Sequence, residues 1–140
     1  MDLVTLDFET FYDKDFSLRK MTTEAYIRDP LFEVIGVSVK VNNEATEWAS
    51  GTHEQLKEYF NGFDWKDSMV LAHNTMFDGA ILSWVFDIHP RVWADTLCMG
   101  RAVHGVEVGG SLKALAERYQ IGVKGTEVLD AKGKNRLDFT

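Results

Sequence analysis

The sequence predicts an α/β domain with a mixed five-stranded sheet flanked by helices, and three observations support this prediction. Residues 1–50 contain three strand-like segments, and the turn residues Asn42 and Asn43 join two of them as a hairpin. From residue 68 onward, short apolar strands alternate with segments of helical periodicity. The order implies antiparallel pairing first and parallel pairing later. The length suits a single domain over residues 1–140.

Three strands are expected before residue 50, and each has its own pattern. Residues 3–9 alternate between an apolar face and a polar face. Residues 31–41 are rich in β-branched side chains, and residues 45–49 return along them as the hairpin partner. In residues 3–9 the apolar face consists of Val4, Leu6 and Phe8, and the polar face consists of Thr5, Asp7 and Glu9.

Two helices are expected in the same half of the chain. A short helix over residues 23–28 must end before Pro30, because proline disfavours helical backbone at the residue before it. Thr52 can cap a helix over residues 53–60, with Gln55 at the reciprocal position of a capping box.

The second half of the chain alternates between strands and helices. Residues 68–73 form a short strand with an apolar centre, of the kind found buried in parallel sheets. Residues 75–86 repeat apolar side chains at helical spacing, and residues 91–94 form another strand. Asp95 suits the start of a helix that reaches about Val103.

The last helix that the sequence predicts follows two glycines, Gly109 and Gly110. Ser111 is its expected N-cap, and the helix should continue through Tyr119 until Gly122 ends it.

Composition restricts the class of protein. A hydrophobic content of 45% and an aromatic content of 12% fit a globular chain. A single cysteine, Cys98, excludes an internal disulfide and a cysteine-rich zinc site. No apolar run is long enough to span a membrane, and the acidic N-terminus does not resemble a targeting segment. We therefore expect a cytoplasmic protein without a membrane partner.

The formal net charge of −7 is unevenly distributed along the chain. Residues 101–140 carry 7 basic and 5 acidic residues, whereas residues 1–100 carry 8 basic and 17 acidic ones. The basic residues near the C-terminus are candidates for contacts with phosphates, and the alternative is an ordinary solvated surface. They include Lys113, Arg118, Lys124, Lys132, Lys134 and Arg136.

Acidic residues in two segments are the candidates for chemistry. Asp7 and Glu9 are held side by side on one face of the first strand, and like charges at that spacing favour a cation between them. Asp78 lies early in the predicted helix over residues 75–86, next to its apolar stripe and therefore near the sheet. Asn74 precedes Asp78 by four residues, so we expect both on one face of that helix.

These segments carry a resemblance to a known family. Asp7-Phe8-Glu9-Thr10 resembles the first motif of the 3′–5′ exonucleases that use four acidic metal ligands on a ribonuclease-H-like fold. His73-Asn74-x-x-Phe77-Asp78 resembles their second motif. Residues 93–96, 111–116 and 124–125 are similar to the proofreading domain of phage family A DNA polymerases, so the likeness extends from residue 3 to residue 125.

The resemblance implies a site and a reaction. Asp7, Glu9 and Asp78 would be catalytic residues that bind two divalent ions, Mg²⁺ or Mn²⁺, which activate water and stabilise the leaving 3′ oxygen. Asn74, Thr10 and Phe11 would contact the terminal nucleotide. The substrate would be the 3′ end of single-stranded DNA, and the setting would be a bacterial host infected by a phage.

The third motif of the family, Tyr-x3-Asp or His-x4-Asp after the Ser111 helix, is not found in the sequence. Two hypotheses therefore remain open. The chain is an exonuclease domain in which Asp130 or Asp138 substitutes for the fourth acid. Alternatively, it is a catalytically silent or split fragment that binds DNA or a partner polypeptide, such as the polymerase remainder, which supplies that acid in trans. Apolar surface left uncovered without the third-motif helix also predicts self-association.

Overall fold

A mixed five-stranded sheet organises the chain, with the strands in the order β3-β2-β1-β4-β5. The structure is a computed structural model and describes residues 1–122. The strands are β1 (Asp2–Thr10), β2 (Val34–Val41), β3 (Glu47–Ser50), β4 (Ser68–Ala72) and β5 (Val92–Asp95). The helices are α1 (Thr23–Arg28), α2 (His53–Phe60), α3 (Thr75–Ala80), α4 (Thr96–His104) and α5 (Leu112–Tyr119). A π-helical segment, Ile81–Val85, continues α3, and 3₁₀ turns occur at Trp65–Asp67 and Val106–Val108.

The central strand β1 pairs with β2 along one edge and with β4 along the other, and it is longer than β4. It pairs with β2 in antiparallel register from Val4 to Thr10, with an irregularity between Glu9 and Thr10. It pairs with β4 in parallel register only from Asp2 to Thr5. Beyond Thr5, β1 therefore extends past the end of β4 and has no strand partner along that edge.

The alternation predicted for the first strand appears in its burial. Val4, Leu6 and Phe8 are buried, whereas Asp7 is exposed and Glu9 is partly exposed. Phe8 packs between two aromatic residues, with its ring 6.0 Å from those of Phe60 in α2 and Phe86 after the π-helical segment. This burial fixes which face of β1 meets the core and leaves the acidic face outward.

Several predicted elements are confirmed, and the sheet has the predicted mixed character. Helices α1 and α2 have the predicted bounds, and the capping box between Thr52 and Gln55 is present. The second strand begins at Val34 instead of residue 31, because the Asp29 side chain and carbonyl accept the N–H groups of Leu31 and Phe32 in a turn. The third strand covers Glu47–Ser50, slightly later than predicted.

Two helix predictions need correction. The helix predicted over 75–86 is α-helical only to Ala80, after which the backbone widens into the π-helical segment. Helix α5 begins after its Ser111 cap and ends at Tyr119 as predicted, but Gln120, which takes a left-handed conformation with φ 54°, caps it in place of Gly122.

No helix among residues 1–122 has the length and apolar character that a membrane crossing requires. Some predicted features lie outside the described residues. They are the 124–125 part of the resemblance, the substitute acids Asp130 and Asp138, and the basic residues Lys124, Lys132, Lys134 and Arg136.

Candidate active site

Asp78 contacts β1 between Asp7 and Glu9, where β1 extends past β4. Asp78 is 3% exposed, and its Oδ1 accepts the N–H of Phe8 at 3.0 Å. That N–H lies in the part of β1 that has no β4 partner, so the carboxylate supplies the acceptor that a longer neighbouring strand would have supplied. Asp7 and Glu9 flank Phe8 in the chain, which brings all three acids to one end of the strand.

The electrostatics of Asp78 reflect this arrangement. The pKa of Asp78 is raised from 3.8 to about 7, chiefly by burial; the Phe8 N–H lowers it, and the negative charges of Asp7 and Glu9 contribute to the rise. A carboxylate with this pKa is only partly ionised at neutral pH. The structure thus brings Asp78 within electrostatic reach of both acids of the first strand.

The three acids lie near one another but are not arranged as the ligands of a metal ion. Among residues 1–122, no three His, Cys, Asp or Glu side chains are grouped so that they could hold a metal ion. Carboxylate oxygens are the donors that Mg²⁺ and Mn²⁺ prefer. The chemistry of the three acids therefore fits a divalent ion, although the spacing of the described side chains does not form a complete ligand set.

The N-terminus of α3, which carries Asp78, is held by β5. Asp95 Oδ1 accepts the N–H of Asn74 at 2.9 Å, and Oδ2 accepts the N–H of Thr75 at 2.9 Å. The Thr75 hydroxyl donates to the carbonyl of Ala94 at 2.5 Å. These bonds fix the start of α3 against the end of β5.

Asp95 also begins the next helix. Its Oδ1 accepts the N–H of Leu97 at 2.8 Å, so the prediction of a helix cap is confirmed. Although burial alone would raise it, the N–H donors of Asn74, Thr75 and Leu97 hold the pKa of Asp95 below its usual range. Asp95 is therefore ionised at neutral pH and joins the N-termini of α3 and α4.

Asn74 does not share a helical face with Asp78. It precedes the first residue of α3 and has a left-handed backbone with φ 70° and ψ 62°. Its side chain is exposed, whereas that of Asp78 is buried. The spacing of four residues was misleading because the left-handed backbone of Asn74 departs from helical geometry.

The other predicted substrate contacts face the aromatic core more than the acids. Thr10 is 9% exposed, and its hydroxyl lies 2.9 Å from that of Tyr26. The half-buried ring of Phe11 packs 6.1 Å from that of Phe16. Roles for Thr10, Phe11 and Asn74 in substrate binding stay predictions.

His73 and Gly79 are neighbours of the site whose roles the sequence pattern did not fully indicate. His73 Nδ1 lies 2.9 Å from the Thr96 hydroxyl, and its buried Nε2 has no hydrogen-bond partner. Gly79 is buried, and a Cβ there would lie 3.1 Å from the ring of Trp93. A glycine inside a helical pattern is the signal that could have indicated this close approach.

Comparison with known proteins supports the fold. No protein-family model and no curated protein sequence matches the chain. Among solved structures, NrnC of Brucella melitensis with bound Mg²⁺ superimposes with a TM-score of 0.56 at 14% identity. The match covers 96% of this chain and 66% of that chain. The mixed sheet, its strand order and this likeness together show that the chain has a ribonuclease-H-like α/β fold.

Proposed function

We propose that this chain is a metal-dependent nuclease domain that hydrolyses phosphodiester bonds at 3′ ends, with Asp7, Glu9 and Asp78 as its acidic residues. The observation that carries the proposal is the bond from the Phe8 N–H to the buried Asp78 carboxylate, since Phe8 lies between Asp7 and Glu9 on β1. A buried carboxylate beside two others is costly without a cation, as the raised pKa of Asp78 indicates. The fold likeness to NrnC, whose structure contains bound Mg²⁺, supports the same reading.

The residues of the chain would contribute in distinct ways. Asp7 and Glu9 offer carboxylates on the solvent-facing side of β1, and the Phe8 N–H orients the carboxylate of Asp78 from the backbone. A bound divalent ion would supply Lewis acidity toward the phosphodiester and lower the pKa of a bound water. Asp78 must lose its proton before it can bind a cation, so metal affinity should rise with pH near 7.

The proposed substrate is the 3′ end of single-stranded DNA, as in the proofreading domains of phage family A polymerases. Asn74, Thr10 and Phe11 are the proposed contacts to the terminal nucleotide. The exposed amide of Asn74 at the start of α3 is the contact that the geometry favours most, because Thr10 is buried and Phe11 is half-buried.

A second candidate function is a silent or split module that binds DNA or a partner polypeptide. One observation favours it: residues 1–122 contain no grouped set of three His, Cys, Asp or Glu side chains. Such a module would gain activity only when a partner supplies the fourth acid.

Titration calorimetry with Mn²⁺ and Mg²⁺ tests the metal site. We expect binding by the parent chain and at least tenfold weaker binding by Asp7→Ala. The matched control is Asp2→Ala, which removes the same charge from the other end of β1. Equal affinity in the parent chain and both variants, or no binding by the parent chain, would contradict the assignment of Asp7.

Degradation of a 5′-labelled single-stranded DNA in Mn²⁺ separates the two candidates. Stepwise shortening from the 3′ end, abolished by Asp78→Ala and by a blocked 3′ end, is expected of a nuclease. Metal binding without degradation, followed by activity on addition of a partner fragment, favours the split module. A parallel RNA oligonucleotide shows whether DNA is the preferred substrate.

A further inference from the structure

We propose that Asp95 is a positioning residue for the acidic site: by holding the start of α3 on β5, it sets where Asp78 meets β1. The importance of this role for metal binding rests on the proposed function above. The positioning itself concerns only hydrogen bonds that the apoprotein makes, so the two can be tested separately.

Three consecutive residues of β5 contact α3. The Asp95 carboxylate accepts the backbone N–H groups of Asn74 and Thr75. The Ala94 carbonyl accepts the Thr75 hydroxyl. The Trp93 ring lies against the backbone of Gly79, where an added Cβ would approach to 3.1 Å. The β5 side therefore restricts both the start of the helix and its rotation about its axis.

The functional contact of α3 is made by Asp78, one helical turn after Thr75. Asp78 follows Thr75 by three residues, about one helical turn, and its Oδ1 reaches across to the Phe8 N–H at 3.0 Å. Asp78 is 3% exposed, so its carboxylate is confined between the helix and β1. A shift of Thr75 relative to β5 would also move Asp78 relative to Phe8, because a single helical turn connects Thr75 to Asp78.

The number of donors around Asp95 explains why an aspartate serves here. Three backbone N–H groups point at its two oxygens, Asn74 and Leu97 at Oδ1 and Thr75 at Oδ2. An asparagine has one acceptor oxygen, so one donor would face an NH₂ group. A serine caps a helix as well as an aspartate does but has one short side-chain oxygen, so it would serve α4 alone.

This difference gives a graded test. Asp95→Ser keeps the N-cap of α4 and should lose the bonds to Asn74 and Thr75, whereas Asp95→Asn should lose one of them. Both variants remove the same charge, so a difference between them reports bonding and not charge. Hydrogen exchange of the Phe8 amide, followed by NMR in the metal-free protein, reads the Phe8–Asp78 bond directly.

We expect the protection of the Phe8 amide to fall at least tenfold in Asp95→Ser and less in Asp95→Asn, while the amides of β2 keep their protection. Ser111→Ala is the matched control, since it removes the cap bond to the Ala114 N–H at the start of α5 without touching α3. Ser111→Ala should leave the protection of the Phe8 amide, relative to that of the β2 amides, unchanged.

Unchanged Phe8 protection in Asp95→Ser, or a fall in parallel with β2, would overturn the positioning role. Mn²⁺ affinity gives a second reading, and we expect it to fall about tenfold or more in Asp95→Ser and less in Asp95→Asn. If the parent chain binds no Mn²⁺, the proposed function fails, and the positioning role is then decided by amide exchange alone.

Discussion

At the scale of single residues, Asp78 is the side chain on which the interpretation depends. Its approximate place was predictable, because an acid next to the apolar stripe of a helix must lie near the sheet. Its partner was not predictable, since the Phe8 N–H becomes available only because β4 ends early. The same holds for Asp95. Its role as a helix cap could be predicted from local sequence, whereas its bonds to residues 74 and 75 depend on the parallel pairing of β4 and β5.

The raised pKa of Asp78 predicts how stability depends on pH. Because the folded-state pKa of about 7 exceeds the ordinary 3.8, the favourable contribution of the protonated group is complete below about pH 4 and is lost as the pH rises through 7. At about 1.4 kcal/mol per pKa unit, the loss is on the order of 4 kcal/mol. We expect urea unfolding of the metal-free protein to give a lower free energy of unfolding at pH 8 than at pH 5.

Asp78→Asn should remove most of that pH dependence. The asparagine carbonyl can still accept the Phe8 N–H, but no charge is buried. The variant should therefore be more stable than the parent chain at pH 8 and should bind metal more weakly. Asp64→Asn, at an exposed position, is the control and should keep the parent pH dependence. An equal slope in Asp78→Asn and the parent chain would contradict the prediction.

At the scale of elements, α3 shows what sequence patterns can and cannot indicate. Its apolar repeat predicted one helix through residue 86, whereas the chain is π-helical from Ile81, with Ile81 and Leu82 buried and Trp84 46% exposed. The widening at Ile81 has no separate signal in the hydrophobic pattern. The start of the helix was predicted at Thr75, although the left-handed Asn74 before it was not.

The close contact between α3 and β5 gives a prediction about Gly79. A Cβ there meets Trp93 at 3.1 Å, and Trp93 is 40% exposed and can move slightly, so Gly79→Ala should stay within about 1 kcal/mol of the parent free energy of unfolding. Gly79→Leu is too large for that adjustment and should cost about 1–3 kcal/mol. Chemical denaturation measures both, with Gly62→Leu as control because its nearest neighbour is a backbone atom at 3.6 Å. Equal losses at the two positions would count against the contact.

At the scale of the whole molecule, the alternation of hydrophobic periods predicted the fold class correctly. A hairpin followed by strand–helix alternation leaves few arrangements, and the observed order β3-β2-β1-β4-β5 is one of them. Sequence separation does not indicate where one parallel strand stops beside another. The point at which β4 ends beside β1, which places Asp78 near Asp7 and Glu9, could therefore not be predicted from the sequence.

We propose the outer surface of α4 and the following turn as the contact for the expected self-association. Three apolar side chains there are more than half exposed: Met99, Val103 and Val106. Sedimentation velocity over a range of concentrations should show association that Val103→Glu weakens, because a charge at the contact resists burial. Leu31→Glu, an exposed loop position elsewhere, is the control. A parent chain that sediments as a monomer at every concentration would contradict the prediction.

The short parallel pairing of β1 with β4 sets the position of Asp78 along β1. Asp2 to Thr5 sit opposite Ser68 to Leu71, and the chain leaves β4 directly for the helix that bears residue 78. The smallest slip that keeps each side chain on its own face is two residues, and it would carry that carboxylate roughly 7 Å along β1. The four residue pairs between β1 and β4 thus determine how far the buried carboxylate of Asp78 lies from Asp7 and Glu9.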